Sequence, residues 1–244
     1  MAHVLCVIPA RFGATRLPGK PLREGAGIPL ISHVYANVAN ANAFDEICVA
    51  TDDERIADAV RTAGGRAEMT SGAHNSGTDR VFEAAGRFRC SHIVNIQGDE
   101  PLIPHDLLRK FSAAVKRIDD NYLLTVVSHA TIEEKNDPHV VKAVLDHRGE
   151  ALYFSRAPIP YEREGGAPCY RHTGIYGFTV GGIARFCSLR EGVLEHAERL
   201  EQLRALENGM RIRCLIHEYT SIGIDTPDDL ERFRLQVAGN GYGS

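Results

Sequence analysis

A parallel α/β sheet covered by helices is the fold class that this 244-residue sequence predicts. Two observations carry the prediction. Val4 to Ile8 and Ile47 to Ala50 are continuous apolar runs of strand length, as expected of strands buried on both faces. Between such runs stand stretches with apolar residues at helical spacing, ended by capping or breaking residues. Composition sets outer bounds. With 43% hydrophobic and 25% charged residues, the chain is an average globular one, which excludes disordered, collagen-like and coiled-coil classes. No run of about 18 apolar residues occurs, so no membrane span is expected.

The first strand, Val4 to Ile8, leads through a Gly/Pro-rich loop to a helix over Leu30 to Asn40. There Ile31, Val34, Tyr35 and Val38 share one face. Ile47 to Ala50 is the next strand. Thr51-Asp52 is expected to cap a helix running through Thr62, which Gly64-Gly65 ends. A strand at Ala67 to Thr70, a helix at Thr78 to Phe88, a strand at His92 to Ile96 and a helix at Pro104 to Ile118 follow. The second half is richer in strands: Leu123 to Ser128, Val141 to Asp146, Ala151 to Ser155, Gly174 to Thr179 and Ile212 to His217. Some should pair antiparallel, because Asp146-His147-Arg148-Gly149 reads as a hairpin turn. Leu200, Leu203 and Leu206 fall on one face of a helix expected over Val193 to Asn208. The last helix, Pro227 to Val237, has Pro in its first turn and Asp228-Asp229 near its positive end. The tail, 239–244, is Gly-rich and expected to be mobile. With neither a Pro/Ser-rich linker nor an internal repeat, one continuous domain over 1–238 is expected, with a strand-rich region at about 123–217.

The formal net charge is -4 with no long block of one sign, so neither nucleic acid nor a membrane surface is an expected partner. The start, Met1-Ala2-His3 and a short apolar run, lacks the features of a signal peptide. Cys6, Cys48, Cys90, Cys169, Cys187 and Cys214 show no CxxC or CxC spacing, which argues against a zinc site. They read as reduced thiols in a cytoplasmic protein.

Ligands of parallel sheets bind beyond the carboxyl ends of the strands. The loop after the first strand carries Arg11, Arg16 and Lys20, with Gly13 and Gly19 permitting close backbone approach. Cations and exposed backbone N–H groups there form a candidate polyphosphate cradle; a solvated basic loop is the alternative. It is not a Walker A loop, because Gly19-Lys20 is followed by Pro21. No G-x-G-x-x-G follows the strand, so a dinucleotide site is unsupported. Gln97-Gly98-Asp99-Glu100-Pro101 follows another apolar strand and places acids at the same edge.

The run from Ile8 to Leu22 resembles the signature of the 3-deoxy-manno-octulosonate (Kdo) cytidylyltransferase family, the CMP-Kdo synthetases. The likeness continues through Ser76-Gly77-Thr78-Asp79-Arg80, Asn95 to Pro101 and Ala151 to Arg156. It extends to Arg171 to Gly177, Leu200 to Arg204 and Gly223 to Asp229, in the family's order and over nearly the whole chain.

The resemblance implies a Rossmann-like nucleotidyltransferase fold of the glycosyltransferase-A-like kind. Its mixed, mostly parallel sheet is flanked by helices, with a strand-rich insertion for sugar binding and dimerisation. It implies transfer of a cytidylyl group from CTP to an acidic eight-carbon sugar, giving CMP-Kdo and pyrophosphate for lipopolysaccharide biosynthesis, by a homodimer. The implied nucleotide-binding residues are Pro9, Ala10, Arg11, Gly13, Ala14, Thr15, Arg16, Lys20, Ser76, Gly77 and Asp99. Of these, Arg11, Arg16, Lys20 and Asp99, with Asp225, form the implied catalytic set.

Mg²⁺ is the expected cofactor, since nucleotidyl transfer needs charge on the phosphate oxygens neutralised. Asp99 and Asp225 are its implied ligands, with Glu100 as a supporting partner. Asp225 could instead cap the helix that follows it. Arg80, Gln97, Arg156, His172, Tyr176, Glu201 and Gln202 are the implied sugar-binding residues. For His172 and Tyr176 packing is the alternative, and for Glu201 and Gln202 a solvated helix face. No protein general base is visible. Asp79 stands where the family often has Glu, Thr173 where a larger apolar residue is common, and Tyr161 to Tyr170 is shorter than in some members. These departures leave an 8-amino-substituted Kdo as an alternative substrate. A non-catalytic nucleotide-binding module and a CMP-sialic acid synthetase are further alternatives.

Overall fold

The computed structural model describes residues 2–13, 17–74, 76–219 and 223–239. In chain order its elements are β1 (Val4–Ala10), a 3-10 turn (Lys20–Leu22), β2 (Glu24–Gly25), β3 (Ile28–Pro29), α1 (Leu30–Asn40), β4 (Glu46–Thr51) and α2 (Glu54–Thr62). Then come β5 (Ala67–Met69), α3 (Gly77–Ala85), β6 (His92–Asn95), α4 (His105–Val115), β7 (Tyr122–His129) and α5 (Ile132–Asn136). β8 (Lys142–Leu145), β9 (Ala151–Ser155), β10 (Tyr170–Thr179), α6 (Val180–Ser188), α7 (Val193–Glu198), α8 (Gln202–Glu207), β11 (Arg211–Ile216) and α9 (Pro227–Gly239) complete the order. Two compact units result, one within 1–112 and 220–244 and the other within 113–219. The strand-rich stretch 123–217 falls inside the second.

The first unit holds a parallel sheet in the order β6-β1-β4-β5. Val4, Leu5, Cys6, Val7 and Ile8 on β1 are wholly buried, as their unbroken apolar run requires. Burial of each aliphatic side chain contributes roughly 1.5–3 kcal/mol. α1 and α2 pack against β4 and against each other, and α3 packs against β1. α1 buries Leu30, Ile31, Val34 and Val38, the face predicted by its spacing apart from the half-buried Tyr35. The cap of α2 differs from expectation: Asp53, not Thr51-Asp52, accepts the Arg55 N–H at 3.0 Å. Asp52 thereby stays available for another partner.

In the second unit β7 lies between β11, parallel to it, and β10, antiparallel to it. β8 pairs antiparallel with both β10 and β9. The expected hairpin is present: Gly149 N–H donates to the Asp146 carbonyl at 3.0 Å, with Gly149 at φ 77°.

Three departures from the expected helices occur. Neither α5 nor α6 was expected, and α6 carries Gly181-Gly182 in its first turn. A Cβ at Gly181 would lie 2.4 Å from an Asp120 carboxylate oxygen, so glycine serves a close approach there. The single helix expected over Val193 to Asn208 is instead α7 and α8, broken at Arg199, which is left-handed at φ 56°. The break folds the two helices onto each other. Arg204 then grips Glu195 through two hydrogen bonds of 2.7 and 2.6 Å, and Glu207 accepts the Leu194 N–H at 3.0 Å.

Cys6, Cys48 and Cys214 are buried, and loss of hydration pushes the Cys48 and Cys214 thiols up to about 12. Among the described residues no helix is long and apolar enough to cross a membrane.

Candidate active site

The carboxyl ends of β1 and β6 and the amino end of α3 surround a cavity of about 310 Å³, wholly within the first unit. Pro9, Ala10 and Arg11 line it from the end of β1, and Gln97, Gly98 and Asp99 from the loop after β6. The two strand ends can come this close because position 98 is glycine: a Cβ there would lie 2.8 Å from the Pro9 carbonyl oxygen. Gln97 and Arg11 thus reach the cavity as expected, Arg11 with an exposed side chain. Gly13 is not among the lining residues, and Ala14, Thr15 and Arg16 lie outside the described residues.

Lys20 stands at the centre of the charged groups. Its ammonium donates to Asp99 Oδ2 at 2.7 Å and to Asp225 Oδ1 at 2.9 Å. Burial opposes its charge, but the two carboxylates outweigh burial and raise its pKa. The Ile224 N–H donates to the Asp99 carbonyl at 3.0 Å, which joins the two acid-bearing segments through the main chain.

The helix cap proposed for Asp225 belongs to its neighbours. Thr226 Oγ accepts the Asp229 N–H at 3.2 Å, and Asp229 Oδ2 accepts the Asp225 and Thr226 N–H groups at 3.1 and 2.9 Å. The Asp225 carboxylate meets Lys20 instead. Two carboxylates that converge on one cation form a hard oxygen pair, which fits a small divalent cation completed by water and phosphate oxygens. Among the described residues no group of three or more His, Cys, Asp and Glu is placed to hold a metal alone.

Ser76 caps α3: its hydroxyl accepts the Asp79 N–H at 3.0 Å and donates to Asp79 Oδ2 at 2.8 Å. What Ser76 and Gly77 present freely to the cavity is main chain. Arg80 also lines the cavity but is buried, with its guanidinium held by Thr70 Oγ1 at 2.6 Å and Asp52 Oδ2 at 2.7 Å. These two partners escaped the sequence reading.

So did His74, a lining residue whose Nε2 lies 2.5 Å from Glu83 Oε2. The Ser71 N–H and then His74 lower the Glu83 pKa. His74 and Glu83 stand nine positions apart, a spacing that offers no local motif.

The remaining sugar candidates lie in the second unit. Thr125 Oγ1 donates to the Ile175 carbonyl at 2.8 Å, so it accepts from His172 Nε2 at 2.8 Å. The His172 ring is tilted on Tyr176 at 5.6 Å and set edgewise to Phe154 at 4.9 Å. Surrounded in this way, His172 falls to a pKa of about 3 and stays neutral. The Tyr176 hydroxyl donates to Gln202 Oε1 at 3.0 Å. Burial, then Glu201, pushes the Tyr176 pKa well up.

Gln202 is not on a solvated face: it is 1% exposed, and its Nε2 has no hydrogen-bond partner. Arg156 is held by main chain, donating to the Glu198 carbonyl at 3.0 Å and the Pro138 carbonyl at 3.2 Å. Thr173 is buried, and its hydroxyl has no hydrogen-bond partner.

Comparisons with known proteins show the family. The profile of the cytidylyltransferase family matches residues 5–212. A 3-deoxy-manno-octulosonate cytidylyltransferase of Anaeromyxobacter sp. (strain K) is 49% identical over 98% of this chain and 99% of its own. One from Geobacter sulfurreducens is 45% identical over 94% of this chain and 97% of its own. A solved CMP:2-keto-3-deoxy-manno-octonic acid synthetase complexed with CTP is 38% identical, covers 98% of this chain and 100% of that one, and superposes with a TM-score of 0.93. A putative glucose-1-phosphate thymidylyltransferase from Bacillus anthracis shares the fold at 15% identity, over 99% of this chain and 98% of that one, with a TM-score of 0.69. The matched stretch contains the strand-end loops that build the cavity up to Asp99, and the relatives match over nearly their full length. The chain belongs to the 3-deoxy-manno-octulosonate cytidylyltransferase family, among the nucleotidyltransferases.

Proposed function

We propose that this nucleotidyltransferase joins CTP to 3-deoxy-D-manno-octulosonate, giving CMP-Kdo and pyrophosphate for lipopolysaccharide biosynthesis. The observation that carries the reading is the convergence of Asp99 and Asp225 on Lys20 beside the Arg11 and Gly98 strand ends, in a chain of this family.

The sugar 2-hydroxyl would attack the α-phosphorus of CTP in line, opposite the departing pyrophosphate. Arg11 and Lys20, with Arg16, would hold the β- and γ-phosphates and stabilise the leaving charge. Main-chain groups at Ser76 and Gly77 would face the cytosine edge. Asp99 and Asp225 would hold Mg²⁺, which when bound neutralises phosphate charge and acidifies the attacking hydroxyl.

Gln97 and Arg80 would face the sugar from the first unit. Arg156, His172, Tyr176, Glu201 and Gln202, which belong to the second unit, are sugar-binding residues by the family resemblance alone. His172 and Tyr176 stay uncharged and serve hydroxyl groups, and the unpartnered Gln202 Nε2 supports a polar ligand there. Arg80, already neutralised by Asp52, acts chiefly as a shaping wall.

A homodimer in the cytoplasm completes the proposal. Leu200 and Leu203 are consumed by the core, while Leu152 at 61% and Val193 at 80% exposure supply apolar surface for a second copy. Sedimentation of the chain should give twice the monomer mass.

The central test is pyrophosphate release with each nucleoside triphosphate and Mg²⁺, paired with Kdo, 8-amino-Kdo or sialic acid. CTP with Kdo should be turned over fastest. Faster turnover of the amino sugar would move the assignment to that substrate, and no release with any pair would reduce the chain to a binding module.

A further inference from the structure

The cavity wall at the entrance of α3 carries a side chain that the proposed chemistry does not use. His74, Ser76 and Arg80 all line the cavity there. The Ser76 hydroxyl is taken up by Asp79, and the Arg80 guanidinium by Thr70 and Asp52. His74 differs, because Glu83 takes one of its two ring nitrogens, Nε2. Its side chain is 22% exposed, within reach of an entering ligand.

Glu83 holds more than the ring. The same oxygen, Oε2, also accepts the Ser71 N–H at 2.9 Å. Within this short segment the Ser71 hydroxyl accepts the Ala73 N–H at 3.1 Å. One carboxylate on α3 thus fixes both the start of the segment 71–74 and the imidazole at its end. Glu83 is ionised, its pKa lowered first by the Ser71 N–H and then by His74, so the hydrogen of the pair sits on Nε2. In a neutral ring held this way, Nδ1 is an acceptor. An acceptor suits a hydroxyl or amino group and not a phosphate oxygen, which has no hydrogen to give. His74 also stands two residues before Ser76, on the side of the cavity assigned to the nucleoside.

We propose that Glu83 positions His74 to contact the nucleoside part of the bound nucleotide. His74 touches the ligand, and Glu83 acts through it. This inference rests on the reading of the cavity as the CTP site, and its test separates the two.

The measurement is the affinity of the full chain for CTP, by titration calorimetry with Mg²⁺ and no sugar, beside its affinity for inorganic tripolyphosphate. His74→Ala should bind CTP about tenfold more weakly, the worth of one good hydrogen bond, and tripolyphosphate as wild type does. Glu83→Ala should lose a similar amount, and the double variant should be no weaker than either single one. Glu83→Gln keeps one oxygen for both donors and should stay close to wild type. If folded His74→Ala binds CTP as wild type does, while Arg11→Ala weakens both ligands, the nucleoside contact is overturned and the CTP site stands. An equal loss for tripolyphosphate would put His74 on the phosphates and overturn the contact as well. Additive losses, or a Glu83→Gln as weak as Glu83→Ala, would overturn the positioning role. If Arg11→Ala and Lys20→Ala change neither affinity, the CTP site itself falls, and the inference with it.

Discussion

At Lys20 one ammonium serves two acids, so the consequences of losing either side differ from those of an ordinary surface ion pair. Lys20→Ala and Asp99→Ala should each lower pyrophosphate release by about 100-fold or more. Their circular dichroism should stay native, because Leu17 and Pro21, not Lys20, anchor the loop in the core. Wild-type rates in either variant would contradict the assignment. Arg80 predicts the opposite balance. It is 4% exposed and bonded to Thr70 and Asp52. Arg80→Ala should cost about 2–3 kcal/mol in urea unfolding, since it takes the ion partner from Asp52 and leaves the Thr70 hydroxyl only its bond to the Thr51 carbonyl. A loss of activity with unchanged stability would show instead that its charge is used on the substrate.

Among the elements, β1 and α1 were legible because one physical demand, burial of a stripe or run, decides every residue in them. The α7–α8 break was not, because Leu200 and Leu203 continue the helical period while Arg199 leaves the helix. Apolar spacing records which side chains are buried and is silent about one residue's φ. In the site, Arg11, Lys20 and Asp99 were legible as charges at strand ends. His74–Glu83 and Asp52–Arg80 were not, because their partners meet only after strand and helix are packed.

The cap of α9 gives a test at this scale. Asp229→Ala removes the acceptor of the Asp225 and Thr226 N–H groups. It should lower stability by about 1 kcal/mol in thermal unfolding. Asp225→Asn should leave the melting temperature nearly unchanged and remove activity. Equal melting shifts in the two would return the capping role to Asp225.

Over the whole molecule, average composition is that of the globular α/β fold, and the -4 charge hid the local cations at Arg11 and Lys20. The pH response should be dominated in part by one interior group. His172 has a folded pKa of about 3, below the ordinary value of about 6.5. Between these values the unfolded chain binds a proton that the native state refuses. This contribution to stability is fully present above about pH 6.5 and lost progressively as pH falls towards about 3. Because the ring keeps some solvent exposure, the loss at pH 4 should be on the order of 2 kcal/mol. In urea unfolding, His172→Gln should lose less stability between pH 7 and pH 4 than wild type. An identical pH dependence would place the acid sensitivity elsewhere.

The hydroxyl of Ser76 is already committed to starting α3, and glycine follows it, so in the proposed reading the base meets amides. A preference carried by amides is stored in the route of the backbone. Exchanging side chains around the cavity can change how tightly a nucleotide is held, but the choice of base would persist through such exchanges. Altering that choice would require redirecting the segment that enters α3, a change of chain path for which single substitutions are a poor tool.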